Sequence, residues 1–193
     1  MVVKMAYLGW GSLLWNYKDL KIGEWEKIDL KLPLEFSRIS QDGRLTLVID
    51  EDNGSDNNIW MTLAKYKNID IAINALKKRE KTLKGAISYV NLPKKKYRIR
   101  NTSPKIAQQL VMWALKKEID VIIWTDLSSN WEKVREKKYS VEDALRYFKS
   151  TPVPTQMKIF DYVYGANQIG KITTPFGKEF FKFLSEYLRD LVN

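Results

Sequence analysis

Proton chemistry in this chain has few groups to draw on, because its 193 residues contain no cysteine and no histidine. Thiol nucleophiles, disulfides and thiolate zinc sites are excluded. So are Ser-His-Asp relays, imidazole bases and histidine-ligated metals. A general acid or base must therefore be Asp, Glu, Lys or Tyr, and no run of Asp and Glu has the spacing of a carboxylate cation site. Two short stretches stand out. One is a glutamate, Glu80, inside an apolar helical stripe. The other is Gly9-Trp10-Gly11-Ser12-Leu13, directly after an apolar run.

From residue 69 onward, Ile69, Ile73, Leu76, Glu80 and Leu83 recur at intervals of four, three, four and three. That is one face of a helix, and Asp70, Asn74, Lys77, Lys81 and Lys84 fall opposite it. A carboxylate on a core-facing stripe is costly to bury unless it is paired or neutral. A carboxyl sheltered from bulk water is also what general acid/base catalysis uses. The bland alternative is a glutamate at a helix end that turns to solvent or pairs with Arg79 or Arg38. On pattern alone that alternative is the commoner case.

The two glycines of the first stretch free the backbone to take positive φ and turn N–H groups towards one point, an anion-binding nest. The stretch is not a P-loop, since no Gly-Lys-Ser/Thr follows, and it lacks the third glycine of a dinucleotide fingerprint. Such a GxGS is more often a plain tight turn.

These residues need elements to hold them. Residues 3–8 read as a strand leading into the glycine stretch. Ile28–Leu34 and Glu35–Ser40 alternate as strands, and Asp42-Gly43 turns the chain into a hairpin with 44–49. A polar loop over 50–58 precedes a strand at 59–63. Asn68 or Asp70 caps the Glu80 helix, which runs to about Lys84 and stops at Gly85. Residues 86–92 and 97–101 read as a strand pair. Ser103-Pro104 opens a second helix that feeds the strand 121–124. Ser140 starts a helix to Phe148, Pro152 and Pro154 break the chain, and helices follow from about Gln156 and after Pro175.

Apolar residues make up 45% of the chain and aromatics 12%, ample for the core of one domain, whereas no apolar run approaches the length of a membrane span. The first residues turn polar at Lys4, too soon for a secretory signal, so a cytoplasmic protein is expected, with no membrane partner.

Strand, Trp10-Gly11-Ser12-Leu13 and, later, Arg79-Glu80 on a helix before the strand Ala86-Ile87-Ser88-Tyr89-Val90 resemble the γ-glutamylcyclotransferase-like superfamily. Its members carry a Tyr-Gly-Ser-(Asn)-Leu loop after the first strand and a catalytic glutamate, often preceded by Arg, on a later helix. Here Trp10 stands where Tyr is usual, and Leu13 directly follows Ser12. The resemblance implies an α+β fold with a small mixed, barrel-like sheet flanked by helices. Its core would span about 1–102, with a C-terminal α/β elaboration over 103–193. The segment Ile123–Leu127 looks like the tail of longer, uncharacterised bacterial members.

The implied reaction closes a γ-glutamyl group on itself to 5-oxoproline and expels an amine or amino acid, without cofactor or metal. Ring closure supplies proximity without an enzyme nucleophile. Glu80 would be the acid/base. Trp10, Gly11, Ser12 and Leu13 would bind the substrate, the amides of 11–13 holding its α-carboxylate or the developing oxyanion. Arg38 or Arg44, flanking the hairpin, could grip a substrate carboxylate bidentately, and Tyr89 could orient the substrate.

A rival reading rests on the net charge of +10 and on the run Lys94-Lys95-Lys96-Tyr97-Arg98-Ile99-Arg100, which could track a nucleic-acid backbone. The same run also suits an edge strand guarded by lysines. A third reading is a scaffold of the same fold that binds a metabolite without turnover.

Overall fold

The computed structural model describes residues 3–192, with Lys84, Leu191 and Val192 described by backbone alone. Seven strands and six helices follow one another: β1 Met5–Gly9, β2 Glu26–Ile39, β3 Leu45–Ile49, β4 Ser55–Leu63, α1 Ile69–Glu80, β5 Ile87–Asn91, β6 Lys96–Arg98, α2 Pro104–Lys116, β7 Val121–Thr125, α3 Trp131–Arg135, α4 Val141–Ser150, α5 Val153–Gln168 and α6 Pro175–Val192. The strands form one mixed sheet in the order β3-β2-β4-β1-β7-β5-β6. β1 and β7 run parallel, while β1–β4, β2–β3, β5–β6 and β5–β7 are antiparallel. The class is α+β. The sheet is open, with β3 and β6 as edges, rather than the barrel-like closure expected. Edge strand β6 has three residues and carries Lys96 and Arg98, a short charged border of the kind that resists further pairing. No helix among the described residues is long and apolar enough to cross a membrane.

The chain divides into two compact units that interleave in sequence. One comprises Met1–Leu32 and Asn58–Ser128, the other Pro33–Asn57 and Ser129–Asn193. The boundary falls inside both β2 and β4, and residues on either side of 102 contribute to the first unit.

In the first unit α1 lies on the face of β1, β7 and β5. Ala72, Ile73 and Leu76 meet Met5, Tyr7, Ile87, Val121 and Ile123 in one apolar cluster. Burying side chains the size of Ile73 and Leu76 contributes roughly 1.5–3 kcal/mol each. Asn68 caps the helix as expected, its Oδ1 accepting from the Ile71 N–H at 3.0 Å. The other end differs. Lys81 takes a left-handed conformation at φ 50° and stops the helix before Gly85 is reached. Leu83 therefore leaves the stripe and is 75% exposed.

In the second unit Gly43, at φ 78°, turns the expected hairpin between β2 and β3. The two strand segments read from alternation are one 14-residue strand, irregular in register between Glu35 and Arg38. Phe36, Tyr162, Phe176, Phe180 and Phe148 form a chain of ring contacts. Pro152 caps α5 and Pro154 sits in its first turn, so the prolines start this helix rather than break the chain. The five-residue α3 has no counterpart in the sequence reading.

Candidate functional site

β1 delivers the chain into the glycine stretch beside β7, its parallel neighbour, with Tyr7 opposite Ile123. Gly9 is glycine for want of room: a Cβ there would lie 2.9 Å from Cη2 of Trp25. Trp10 and Leu13 are buried, and Leu13 joins the cluster that also holds Leu76 of α1. The stretch then closes as one helical turn, Leu14 N–H donating to the Gly11 carbonyl and Asn16 N–H to that of Ser12, both at 2.9 Å. Gly43 is the one glycine with positive φ among the described residues, so the expected left-handed nest at Gly9 and Gly11 is not formed. The beginning of a helical turn still leaves its first N–H groups, those of Ser12 and Leu13, without partners inside the turn.

The last turn of α1 meets this loop through Arg79. Its Nε and Nη2 donate to the Asn16 carbonyl at 2.9 and 2.6 Å, and Nη2 also donates to Ser12 Oγ at 3.1 Å. Its Nη1 pairs with Glu80 Oε1 at 2.6 Å. The side chains of Arg79 and Glu80 are 8% and 19% exposed. Glu80 is thus neither sealed in the core nor out in bulk water. It is charge-paired with its neighbour, as the bland alternative has it, and that neighbour is bonded to the loop in which the resemblance sees substrate binding. Ser12, Arg79 and Glu80 come together, with Gly11 and Leu13 in the same turn and Trp10 buried at its start.

The other candidates make contacts of their own. Arg38 belongs to the second unit, opposite Thr46 on β3, and Arg44 stacks over the ring of Tyr162 at 4.7 Å. Tyr89 is half-buried beneath the guanidinium of Arg98, 5.4 Å from the ring centroid. Of the basic run, Arg98 is turned inward, donating twice to the Ile87 carbonyl at 3.0 and 2.7 Å, while Tyr97 is 72% exposed. Among the described residues no group of three or more Asp or Glu is placed to hold a metal ion.

Sequence reasoning missed a buried acid in the second unit. Glu35 is wholly buried, with Oε1 accepting from its neighbour Phe36 at 2.7 Å and Oε2 from Phe176 N–H, in the first turn of α6, at 3.1 Å. Burial pushes its carboxyl up to about 7, against hydrogen bonds from Phe36, Thr174 and Phe176 that favour the charged form. A cleft of about 740 Å³ in the same unit is lined by Asp50, Asp52, Trp131, Glu132, Lys138 and Tyr139, among others. Trp131 Nε1 and Tyr139 Oη find no hydrogen-bond partner among the described residues, but both atoms are shut off from solvent and cannot serve a ligand in the cleft.

Comparison with protein-family models, with curated proteins and with solved structures finds no match to this chain.

Proposed function

We propose that this chain is a γ-glutamylcyclotransferase-like enzyme that converts a γ-glutamyl amine or peptide into 5-oxoproline and a free amine. The observation that carries the reading is the guanidinium of Arg79, which joins Ser12 of the Gly-Ser loop to Glu80. Leu13 also packs in the apolar cluster that holds Leu76 of α1, and Arg79 adds the polar tie between the two motifs.

The reaction follows from the groups at hand. Glu80 accepts a proton from the substrate α-ammonium, and the freed α-amine attacks its own γ-carbonyl carbon. The Ser12 and Leu13 N–H groups stabilise the developing oxyanion or hold the α-carboxylate. As the tetrahedral centre collapses, the C–N bond to the leaving group breaks and Glu80 returns its proton to the departing nitrogen. Glu80 then takes the second proton from the ring nitrogen, leaving the neutral lactam, and passes it to the free amine, which departs as an ammonium ion. Bonds and protons balance without a cofactor, and the closeness of amine and carbonyl within one substrate replaces an enzyme nucleophile.

The test is incubation with γ-glutamyl amines, γ-glutamyl dipeptides and glutathione, reading 5-oxoproline by mass spectrometry. Turnover by the natural chain, reduced about 100-fold or more in Glu80→Gln at unchanged unfolding midpoint, is the expected result. A natural chain inert towards the whole panel sinks the proposal. Salt-sensitive mobility shifts of DNA or RNA, lost on substitution of Lys94, Lys95 and Lys96, would then favour nucleic-acid binding.

A further inference from the structure

We infer that Arg79 is the positioning residue of this site, clamping the Gly-Ser turn and Glu80 into one rigid frame and fixing which Glu80 oxygen exchanges protons. Its kinetic consequence rests on the cyclotransferase reading; its structural consequence does not.

A guanidinium has five N–H donors in one plane. Four contacts run from Arg79 to three acceptors: the Asn16 carbonyl takes Nε and Nη2, Ser12 Oγ takes Nη2, and Glu80 Oε1 takes Nη1. The acceptors come from stretches of chain 63 and 67 residues away and from the adjacent residue. Only a planar fork reaches all three at once; the single ammonium of a lysine does not. At 8% exposure these charge-assisted bonds are little screened by water. The Asn16 carbonyl is the exit of the helical turn and Ser12 its start, so Arg79 grips both ends of the element that presents the Ser12 and Leu13 N–H groups.

The clamp also divides the work of the Glu80 carboxylate. Oε1 is held by Arg79, and among the described residues Oε2 has no hydrogen-bond partner. Oε2 is the oxygen left for the substrate proton. The second Nη1 donor of Arg79 meets no acceptor among the described residues.

The experiment compares the natural chain with Arg79→Lys and Arg79→Ala by amide hydrogen exchange at Leu14 and Asn16 and by kcat and KM on whichever γ-glutamyl substrate the panel identifies. Exchange at both amides is expected to rise at least about tenfold in both variants, since the turn loses its anchor. A kcat lower by about 100-fold with KM changed far less marks positioning rather than binding. Ethylguanidinium added to Arg79→Ala is expected to recover part of kcat, while leaving Glu80→Gln inert, which a merely structural loss would not do. Unchanged exchange in both variants overturns the clamp, and unchanged kcat at accelerated exchange overturns its role in positioning Glu80. If the natural chain turns over nothing, the cyclotransferase reading falls and the exchange data alone decide the clamp. If Arg79→Ala does not fold, Arg79→Lys, which keeps the charge, decides by the same two measurements.

Discussion

Tyr7 donates its hydroxyl to the carbonyl of Ala72 at 2.7 Å, a buried bond between β1 and the first half of α1. It sets the helix on the sheet at a point two residues before Gly9 and eight before Glu80. Burial, reinforced by Tyr66, pushes the phenol far above its usual range, so it stays a donor at any workable pH. Tyr7→Phe removes the bond and little volume. The expected cost is about 1 kcal/mol, read as a lower urea midpoint, with faster amide exchange along α1. Exchange unchanged along α1 would show that apolar packing alone registers the helix.

Gly9 yields a second prediction. A methyl group there meets Trp25 Cη2 at 2.9 Å and Cζ3 at 3.1 Å, and an indole in a packed cluster cannot withdraw as a flexible chain end can. Gly9→Ala should destabilise by roughly 1–3 kcal/mol through overpacking. Trp25→Leu creates space at the same spot, and its lost Nε1 has no hydrogen-bond partner among the described residues to forfeit. The double variant should therefore be more stable than the sum of the two single effects predicts, with a coupling of about 1 kcal/mol by denaturant unfolding. Additive effects would contradict the close approach.

Asp126 organises the chain between β6 and α2. Its Oδ2 accepts from Ser88 Oγ at 2.6 Å and from the N–H groups of Arg100 and Asn101, both at 2.9 Å, while Oδ1 accepts from Thr102 Oγ1 at 2.8 Å. Burial works to raise this carboxyl, yet the bonds from Ser88, Asn101, Arg100 and Thr102 outweigh it and hold the group below its usual range. Its stabilisation is present above the ordinary aspartate range and is lost as pH falls through the depressed folded value. Asp126→Asn keeps the shape but gives up the charge and one acceptor. A loss of about 3 kcal/mol at neutral pH is expected, together with a shallower fall of stability below pH 4 than the natural chain shows. Equal acid sensitivity of the two proteins would refute the assignment.

These residues also mark where sequence reading succeeds and where it stops. Asn68, Ser103-Pro104 and Ser140 each start the helix expected of them, because a cap is a local event that a few residues decide. The end of α1 is just as local, yet the left-handed residue is Lys81, a type that does not announce that conformation. Leu83 consequently falls off the stripe that made Glu80 conspicuous. Inside β2, the irregular register between Glu35 and Arg38 shifts the alternation of faces, so Glu35 could not be read as inward. Helix α3 is too short to show a period. The pairing of Arg79 with Glu80 was foreseeable from adjacency; its bonds to Ser12 and Asn16 were not, since they cross more than 60 residues and no spacing rule reaches so far.

Glu35 offers the test with the fewest confounding groups, because a chain without histidine has no imidazole titrating between pH 5 and 7. Its carboxyl lies among Phe36, Thr174 and Phe176, with Asp50 close enough to raise it further and the phenol of Tyr139 feeling its charge. Raised from about 4.5 to about 7, it binds more protons folded than unfolded across that interval. Stability contributed by this group is therefore complete below the unfolded value and declines as pH rises towards 7, by an amount on the order of 3 kcal/mol. Urea midpoints measured from pH 5 to 8 should fall through this window in the natural chain. Glu35→Gln cannot accept from both Phe36 and Phe176, since only one of its two end atoms is an acceptor. It should start less stable at pH 5 and then stay level to pH 8, so that the two curves converge. A natural chain equally stable at pH 5 and pH 7 would mean that the N–H groups of Phe36 and Phe176 hold the carboxylate charged in spite of its burial.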